Sequence, residues 1–421
     1  MRPNRLLELA SVATVACLGA AFFGVPADAQ SRSAGNDGKL VIGSLAPETG
    51  DQSSLLGSLR TPVQLAIDEI NAAGGVNNQP VTLVTGDDGT DPDATGRTLD
   101  RMMGSDKADV IIGPVKASTA LAILGQVKGK AVLCSGSNTL AQLDKDGPKK
   151  SGGLYFRTAP TDTLQGPALS ELVLSDGHSK VGILARNDSY GLGFSKSVAR
   201  GLKQGGAKVA ANDAYNPDGT DLDADVQRVL DQLPDAVVVL GLADDGAKVV
   251  QNMIAKGAGP ADVPTYTVDG MQSATFGATV DPVNPGVVAG IKGTAPAPDP
   301  GGVDSPFRDT FAATGIDPFF SSYSYDCTIL AALAAVKAKS DRATDIAKAF
   351  AANVKGSEEC NTFARCQDLL ESGKTIHWRG ASSNFERFPK NQPNEGVYDV
   401  WSYDSSAAVV TEAARSQIPI R

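Results

Sequence analysis

Short apolar runs without polar alternation punctuate the chain, and most of them are followed by a segment whose apolar residues recur at helical spacing. Residues 40–46 (LVIGSLA) predict a strand. Residues 61–75 (TPVQLAIDEINAAGG) predict a helix: Val63, Ala66, Ile67 and Ile70 share one face, and Gly74-Gly75 end it. PVTLVTGDD predicts a strand, ATGRTLDRMMG a helix, ADVIIGPV a strand, STALAILGQV a helix and KAVLCSG a strand. A second series begins after Phe156-Arg157-Thr158. It runs through the strands KVGILARND, KVAANDAY, DAVVVLGL and PTYTVDG, with the helices GFSKSVARGLKQGG, ADVQRVLDQL and DDGAKVVQNMIAKG between them. Strands that are apolar throughout are buried on both faces, so the pattern predicts an α/β fold with doubly wound parallel sheets in two similar lobes.

Beyond the second series the text turns to Gly and Pro over residues 290–300, which reads as a connection. A long Ala-rich helix is expected over 323–339, and short strands with turns over 373–403. At the other end, Arg2 and Arg5 precede an apolar stretch over residues 9–25 and then Ala27-Asp28-Ala29. A basic start, a short apolar run and a small-x-small site predict a signal peptide over 1–29, with Gln30 as the first mature residue. A membrane anchor or core helix is the rival reading, but the run is short for a bilayer span. Cys17 follows Thr14-Val15-Ala16, a degraded lipoprotein box, so a lipid anchor there is the weaker alternative. Residues 30–38 are polar and Gly-rich and read as a flexible leader.

Removal of the leader leaves about 390 residues, a length that suits two lobes better than one core. The formal net charge of −10 argues against nucleic acid and anionic membrane as partners. Export places Cys134, Cys327, Cys360 and Cys366 in an oxidising compartment, where the short loop Cys360–Cys366 is expected to close as a disulfide. Zinc is excluded there because no His is near. Cys134 and Cys327 read equally as a pair or as buried thiols.

Enzymatic chemistry finds little support. The chain has two histidines, His178 in a polar turn and His377 in TIHW, and neither has a nucleophile pattern beside it. There is no G-x-S-x-G elbow and no H-E-x-x-H. Asp87, Asp88, Asp91 and Asp93 lack calcium-loop spacing, and caps at a strand-to-helix loop account for them better. Gly191-x-Gly193 follows a strand, but Lys196 occupies the place where a dinucleotide fingerprint needs glycine. No cofactor is expected.

Parallel sheets bind ligands at the carboxyl ends of their strands. After VIIGPV stand Lys116-Ala117-Ser118-Thr119, opening a helix whose free N–H groups suit a carboxylate. After KAVLC stand Ser135-Gly136-Ser137-Asn138-Thr139, where Gly136 allows close backbone approach. The second series offers Tyr190 after KVGILARND and Asp269 after PTYTV. A carboxylate there would hold an ammonium group, and a phenol would add a wall with one polar tip. Taken singly, each feature reads as well as a cap, a turn or a half-buried surface residue. Together they suit a small zwitterion held between two lobes.

The ordered set LVIGSLAPETG, AIDEINAAGGVN, DVIIGPVKAST, VLCSGSN, YFRTAPTD, RNDSYGLGF, PDAVVVLG and YTVDG resembles the periplasmic leucine/isoleucine/valine-binding proteins. These are extracytoplasmic receptors of ATP-driven amino-acid importers. LLESGKTIHWRGASSNFERF resembles a C-terminal stretch of one branch, with Trp378 for Tyr and Ser383 for Gly. The resemblance implies a type I periplasmic binding protein joined by a three-crossing hinge, near Thr158, Thr294 and Gly396. Lobe one would comprise 39–157 and 296–394, and lobe two 158–295 and 395–421. It implies carboxylate binding by Ala117, Ser118 and Thr119, with Ala117 where serine is usual, and by Gly136, Ser137 and Asn138, with Asn138 where Thr is usual. It implies Tyr190 as a cleft tyrosine and Asp269, shorter than the common Glu, as the ammonium-binding acid. Leu56 and Ala243 stand where aromatic walls are common. The function implied is capture of a small solute, preferably a neutral amino acid, by a monomer that delivers it to the membrane permease of an ABC-type importer. A sensor of the same fold, a receptor for an aromatic acid or short amide, and an exported enzyme on this scaffold are the rivals.

Overall fold

The computed structural model describes residues 37–300, 304–386, 388–411 and 417–420. The expected signal peptide, its cleavage site and Cys17 lie outside these residues, as does most of the expected leader. Five strands form the first sheet: β1 (Val41–Ala46), β2 (Thr82–Asp87), β3 (Val110–Ile112), β4 (Val132–Ser135) and β5 (Tyr155–Arg157), in the order β2-β1-β3-β4-β5 and all parallel. Between and after them run α1 (Leu56–Ala72), α2 (Pro92–Gly104), α3 (Ala117–Val127) and α4 (Leu143–Ser151).

The second sheet is reached through α5 (Asp162–Ser175). It contains β6 (Lys180–Arg186), β7 (Lys208–Tyr215), β8 (Ala236–Leu240), β9 (Thr265–Val268) and β10 (Lys292–Pro296), with α6 (Ser189–Gln204), α7 (Leu222–Leu230), α8 (Ala243–Ala255) and α9 (Phe276–Val280) in the connections. The chain then passes through α10 (Pro306–Ala312), α11 (Ser321–Ala338) and α12 (Ala343–Phe350). A small parallel pair follows, β11 (Glu358–Cys360) and β12 (Ile376–Trp378), with α13 (Phe363–Glu371) between its strands. It returns to the second sheet as β13 (Gly396–Tyr403), antiparallel to β10, and ends with β14 (Val409–Thr411) and β15 (Gln417–Ile420), both paired to β13. Among the described residues no helix is long and apolar enough to cross a membrane.

Alternation along each strand explains why helices cover both faces. In the first sheet, Ile42, Val110, Ile112 and Val132 join one core with Ile67 of α1 and Ile329 of α11, while Ile111 and Leu133 join the opposite core with Leu99 of α2 and Leu124 of α3. In the second sheet, Ile183 and Val238 face Leu169 of α5 and Val198 of α6, and Val237 and Val239 face Val226 of α7 and Val250 of α8. Every one of these residues is buried, so each strand contributes apolar surface to two layers.

Local polar chemistry fixes the loops. Asp91 accepts from the N–H groups of Asp93 and Ala94 at 3.0 and 2.9 Å and caps α2, with Pro92 in the first turn. Asp87 accepts from Glu48, Thr49 and Gly89, and Asp88 from Thr90 and Val115, so these carboxylates bind backbone amides. Asp91→Ala is expected to cost about 1 kcal/mol of stability in urea unfolding, the usual value of such a cap. The segment from Trp378 to Ser382 wraps a buried carboxylate. Asp326 of α11 accepts from Trp378 Nε1 at 3.0 Å, from the amides of Ala381 and Ser382 at 3.0 and 2.7 Å, and from the Ser382 hydroxyl. Burial pushes Asp326 up to about 6 even so.

Candidate functional site

The carboxyl ends of strands from both sheets open on one cleft of about 700 Å³. From the first sheet, the loop after β3 brings Lys116, Ala117 and Ser118 to it, and the loop after β4 brings Ser137 and Thr139. α3 begins at Ala117, and Lys116 at its N-cap makes no side-chain capping hydrogen bond. Among the described residues the first-turn amides of α3 therefore have no intrahelical partner and form a partial positive charge at the cleft.

From the second sheet come Tyr190, in the first turn of α6, and Asp269, directly after β9. The Gly191-x-Gly193 stretch lies inside α6, whose N-cap Asp188 accepts from the Gly191 amide at 3.0 Å. The Tyr190 ring stacks edge-on against Phe194 at 5.7 Å, and its hydroxyl is buried without a hydrogen-bond partner among the described residues. That hydroxyl crowds Gly270, where an added Cβ would lie 2.9 Å from it and 2.6 Å from the Gly241 carbonyl. Glycine at 270 thus lets the phenol approach the loop that carries Asp269. Asp269 is 7% exposed, and its Oδ1 accepts from Gln165 Nε2 at 2.6 Å. Burial raises its carboxyl to about 6, against the opposing pull of Gln165.

Five of the eight residues singled out in the sequence therefore line the cleft: Ala117, Ser118, Ser137, Tyr190 and Asp269. Thr119, Gly136 and Asn138 do not. Thr119 is buried and absent from the lining. Gly136 packs against α11, where a Cβ would meet the Ser324 amide at 2.5 Å. Asn138 donates to the Pro114 and Val115 carbonyls at 3.0 Å each and ties the two loops together. Leu56 is absent from the lining and Ala243 is part of it, while Phe319 and Phe320, at the entry to α11, supply aromatic surface. Their apolar pair before a long buried helix was the one sequence signal that could have marked them.

The cleft is acidic. Seven aspartates and three cations line it, and the cations are already engaged. Lys116 pairs with Asp51 at 2.6 Å. Arg186 binds Asp188 at 2.7 Å and Asp245 at 2.5 Å, and Lys248 donates to the Pro217 and Asp218 carbonyls. Asp245 also accepts from the Tyr215 hydroxyl at 2.5 Å, so this ion pair is held in place from a second strand.

Two largely parallel sheets opening on one cleft are the architecture of a solute-binding receptor. The chain belongs to the periplasmic binding protein family: the family model matches residues 39–376. It is 25% identical over 371 residues to the chemotactic signal transduction system substrate-binding protein of Halobacterium salinarum, covering 85% of each chain. It is 26% identical over 216 residues to a Leu/Ile/Val-binding protein of Rhizobium johnstonii, covering 51% of this chain and 58% of the relative. The fold is shared with a leucine binding protein of Thermotoga maritima, with a TM-score of 0.69 at 18% identity over 91% of this chain and 99% of that one. This is the type I fold of extracytoplasmic receptors.

Proposed function

We propose that the protein captures a neutral amino acid between two lobes, residues 39–157 with 296–394 and residues 158–295 with 395–421, and delivers it to the membrane permease of an ABC-type importer. The observation that carries this reading is the pairing of unlike walls. The uncapped N-terminus of α3 suits a ligand carboxylate, and the buried Asp269 beside the unpartnered Tyr190 hydroxyl suits its ammonium. Ala117, Ser118 and Ser137 would receive the carboxylate, while Thr119, Gly136 and Asn138 would hold those loops in place. Neither wall satisfies the ligand alone, so ligand favours the closed form through its differential contacts. No bond is broken. The amino-terminal 29 residues would direct export, and the receptor would act as a monomer outside the cytoplasmic membrane.

The Halobacterium relative, named as part of chemotactic signal transduction, supports a second reading in which the same capture feeds a sensor. Both readings require the same ligand class. In a thermal-shift screen of amino acids and amine-free acids, a neutral amino acid at 100 times its Kd is expected to stabilise the protein by about 2.7 kcal/mol. A screen in which amine-free acids alone shift the melting temperature would remove the amino-acid reading.

A further inference from the structure

Asp162 opens α5, where the chain passes from the first sheet to the second. It is fully buried, and among the described residues neither carboxylate oxygen makes a hydrogen bond of normal geometry, the Thr139 side chain being the weak donor that acts on it. An ionised carboxylate in such a place is strongly disfavoured unless a cation accompanies it. The titratable and charged groups that act on it or feel it are Asp144 on α4, Arg157 at the end of β5, Tyr190 on α6, Asp269 after β9 and Tyr398 on β13. Arg157 is the only cation of these; its terminal nitrogens are committed to the Asn138 and Leu140 carbonyls, Asp144 and Gln392, and its Nε is buried without a hydrogen-bond partner among the described residues. The hydroxyls of Tyr190 and Tyr398 and Oε1 of Gln165 are also buried, without hydrogen-bond partners among the described residues. Gln165, one turn along α5 from Asp162, is the residue that donates to Asp269. Two buried carboxyls are thus linked through α5, and the one cation that acts on Asp162 is already paired with Asp144.

We propose that Asp162 and Asp269 act as one carboxyl pair that selects a ligand bearing a protonated amine, holding a proton in the ligand-free protein and exchanging it for that amine on capture. The proposal rests on the amino-acid reading above and adds a second acid to it. Two buried carboxyls without a counter-ion cannot both ionise, so they titrate as a pair and retain a proton near neutrality. Burial raises Asp162 to about 8, the Asp269 charge pushes the same way, and the Thr139 hydroxyl and Arg157 oppose both. A ligand ammonium supplies the missing cation. The carboxyl O–H then gives its proton to water, and the ammonium N–H groups become the donors in its place. Asp162 is a positioning residue here, acting on the ligand through Asp269. An amine-free acid would bring a further negative charge and leave the pair protonated.

Calorimetry of the mature protein with L-leucine at pH 7, in phosphate and in Tris, reads the proton directly because the two buffers differ in ionisation enthalpy. The expected result is release of about one proton per leucine, declining toward pH 9 as the pair ionises before binding. Asp162→Asn is expected to abolish most of the release and to weaken leucine at least tenfold. 4-Methylpentanoate, the same skeleton without the amine, is expected to bind at least a hundredfold more weakly than leucine. If Asp162→Asn fails to fold by circular dichroism, the buffer pair on the unaltered protein decides alone. Leucine binding without net proton release, or 4-methylpentanoate binding as tightly as leucine, overturns the proposal; the first of these leaves the amino-acid reading standing. Failure of the unaltered protein to bind any neutral amino acid removes that reading and the proposal together.

Discussion

Replacing Asp269 with alanine is expected to weaken amino-acid binding by roughly two to three orders of magnitude, about 3–4 kcal/mol, when measured by calorimetry at pH 7. The size follows from burial. Asp269 is almost closed to solvent, and a ligand ammonium placed against it would lose its water shell. Truncating one partner of a buried charge pair leaves the other unpaired, which is why the loss exceeds the worth of an exposed ion pair. The substitution also frees Gln165 Nε2, but that nitrogen keeps its bond to the Thr294 carbonyl at 2.8 Å, so the cleft wall should hold its shape. Asp269→Asn separates charge from shape: it keeps an acceptor and should fall between the alanine variant and the unaltered protein. Equal affinity in all three proteins would show that no ligand cation meets this wall, and the ligand would then be sought among amine-free acids.

Strands such as β1, β3, β4, β6 and β8 were legible because each is an apolar run buried almost throughout, and the ends of those runs located the cleft-facing loops; β10 was missed, because its Gly and Pro made residues 290–300 read as a connection. Tyr190 and Asp269 follow from that rule alone. Helix α4 was not legible: its sequence LDKDGPKKS buries Leu143, Gly147 and Ser151, one residue per turn, and offers no apolar stripe. Phe319 and Phe320 escaped because an aromatic pair before a helix reads as core until the fold turns it toward a cleft. Gly136 misled in a different way. Its lack of a side chain is needed against Ser324 of α11, a neighbour far away in sequence, and not against a ligand. Asp162 belonged to a stretch quoted for its resemblance, but the sequence gives no sign that neither of its oxygens makes a hydrogen bond of normal geometry among the described residues. Residues whose role is set by long-range packing stay hidden for one reason: periodicity reports which face of an element is apolar, not which element lies opposite.

The same limit applied to Cys134 and Cys327, and the bond between them should have the largest effect on stability. Cys134 lies on β4 and Cys327 on α11, both fully buried, and they are joined as a disulfide across a sequence separation of 193. Cys360 and Cys366 form the second disulfide with a separation of 6. Closing a loop restricts the unfolded chain in proportion to the logarithm of its length, so the long loop stabilises by about 5 kcal/mol and the short one by about 2 kcal/mol. The long bridge also stands beside a crossing between the sheets. Thr158 donates to the Tyr323 carbonyl at 2.7 Å and touches the Cys327 sulfur at 3.5 Å, so α11 is fixed to the start of that crossing by both covalent and polar contacts. Replacing Cys134 and Cys327 together with alanine is expected to lower the melting temperature by on the order of 10 °C, and replacing Cys360 and Cys366 by less than half as much. Ligand at saturation should restore part of the loss in both cases, because it binds the folded state alone. The reverse order of the two double variants in differential scanning calorimetry would mean that native-state packing, not restriction of the unfolded chain, governs what these bonds contribute.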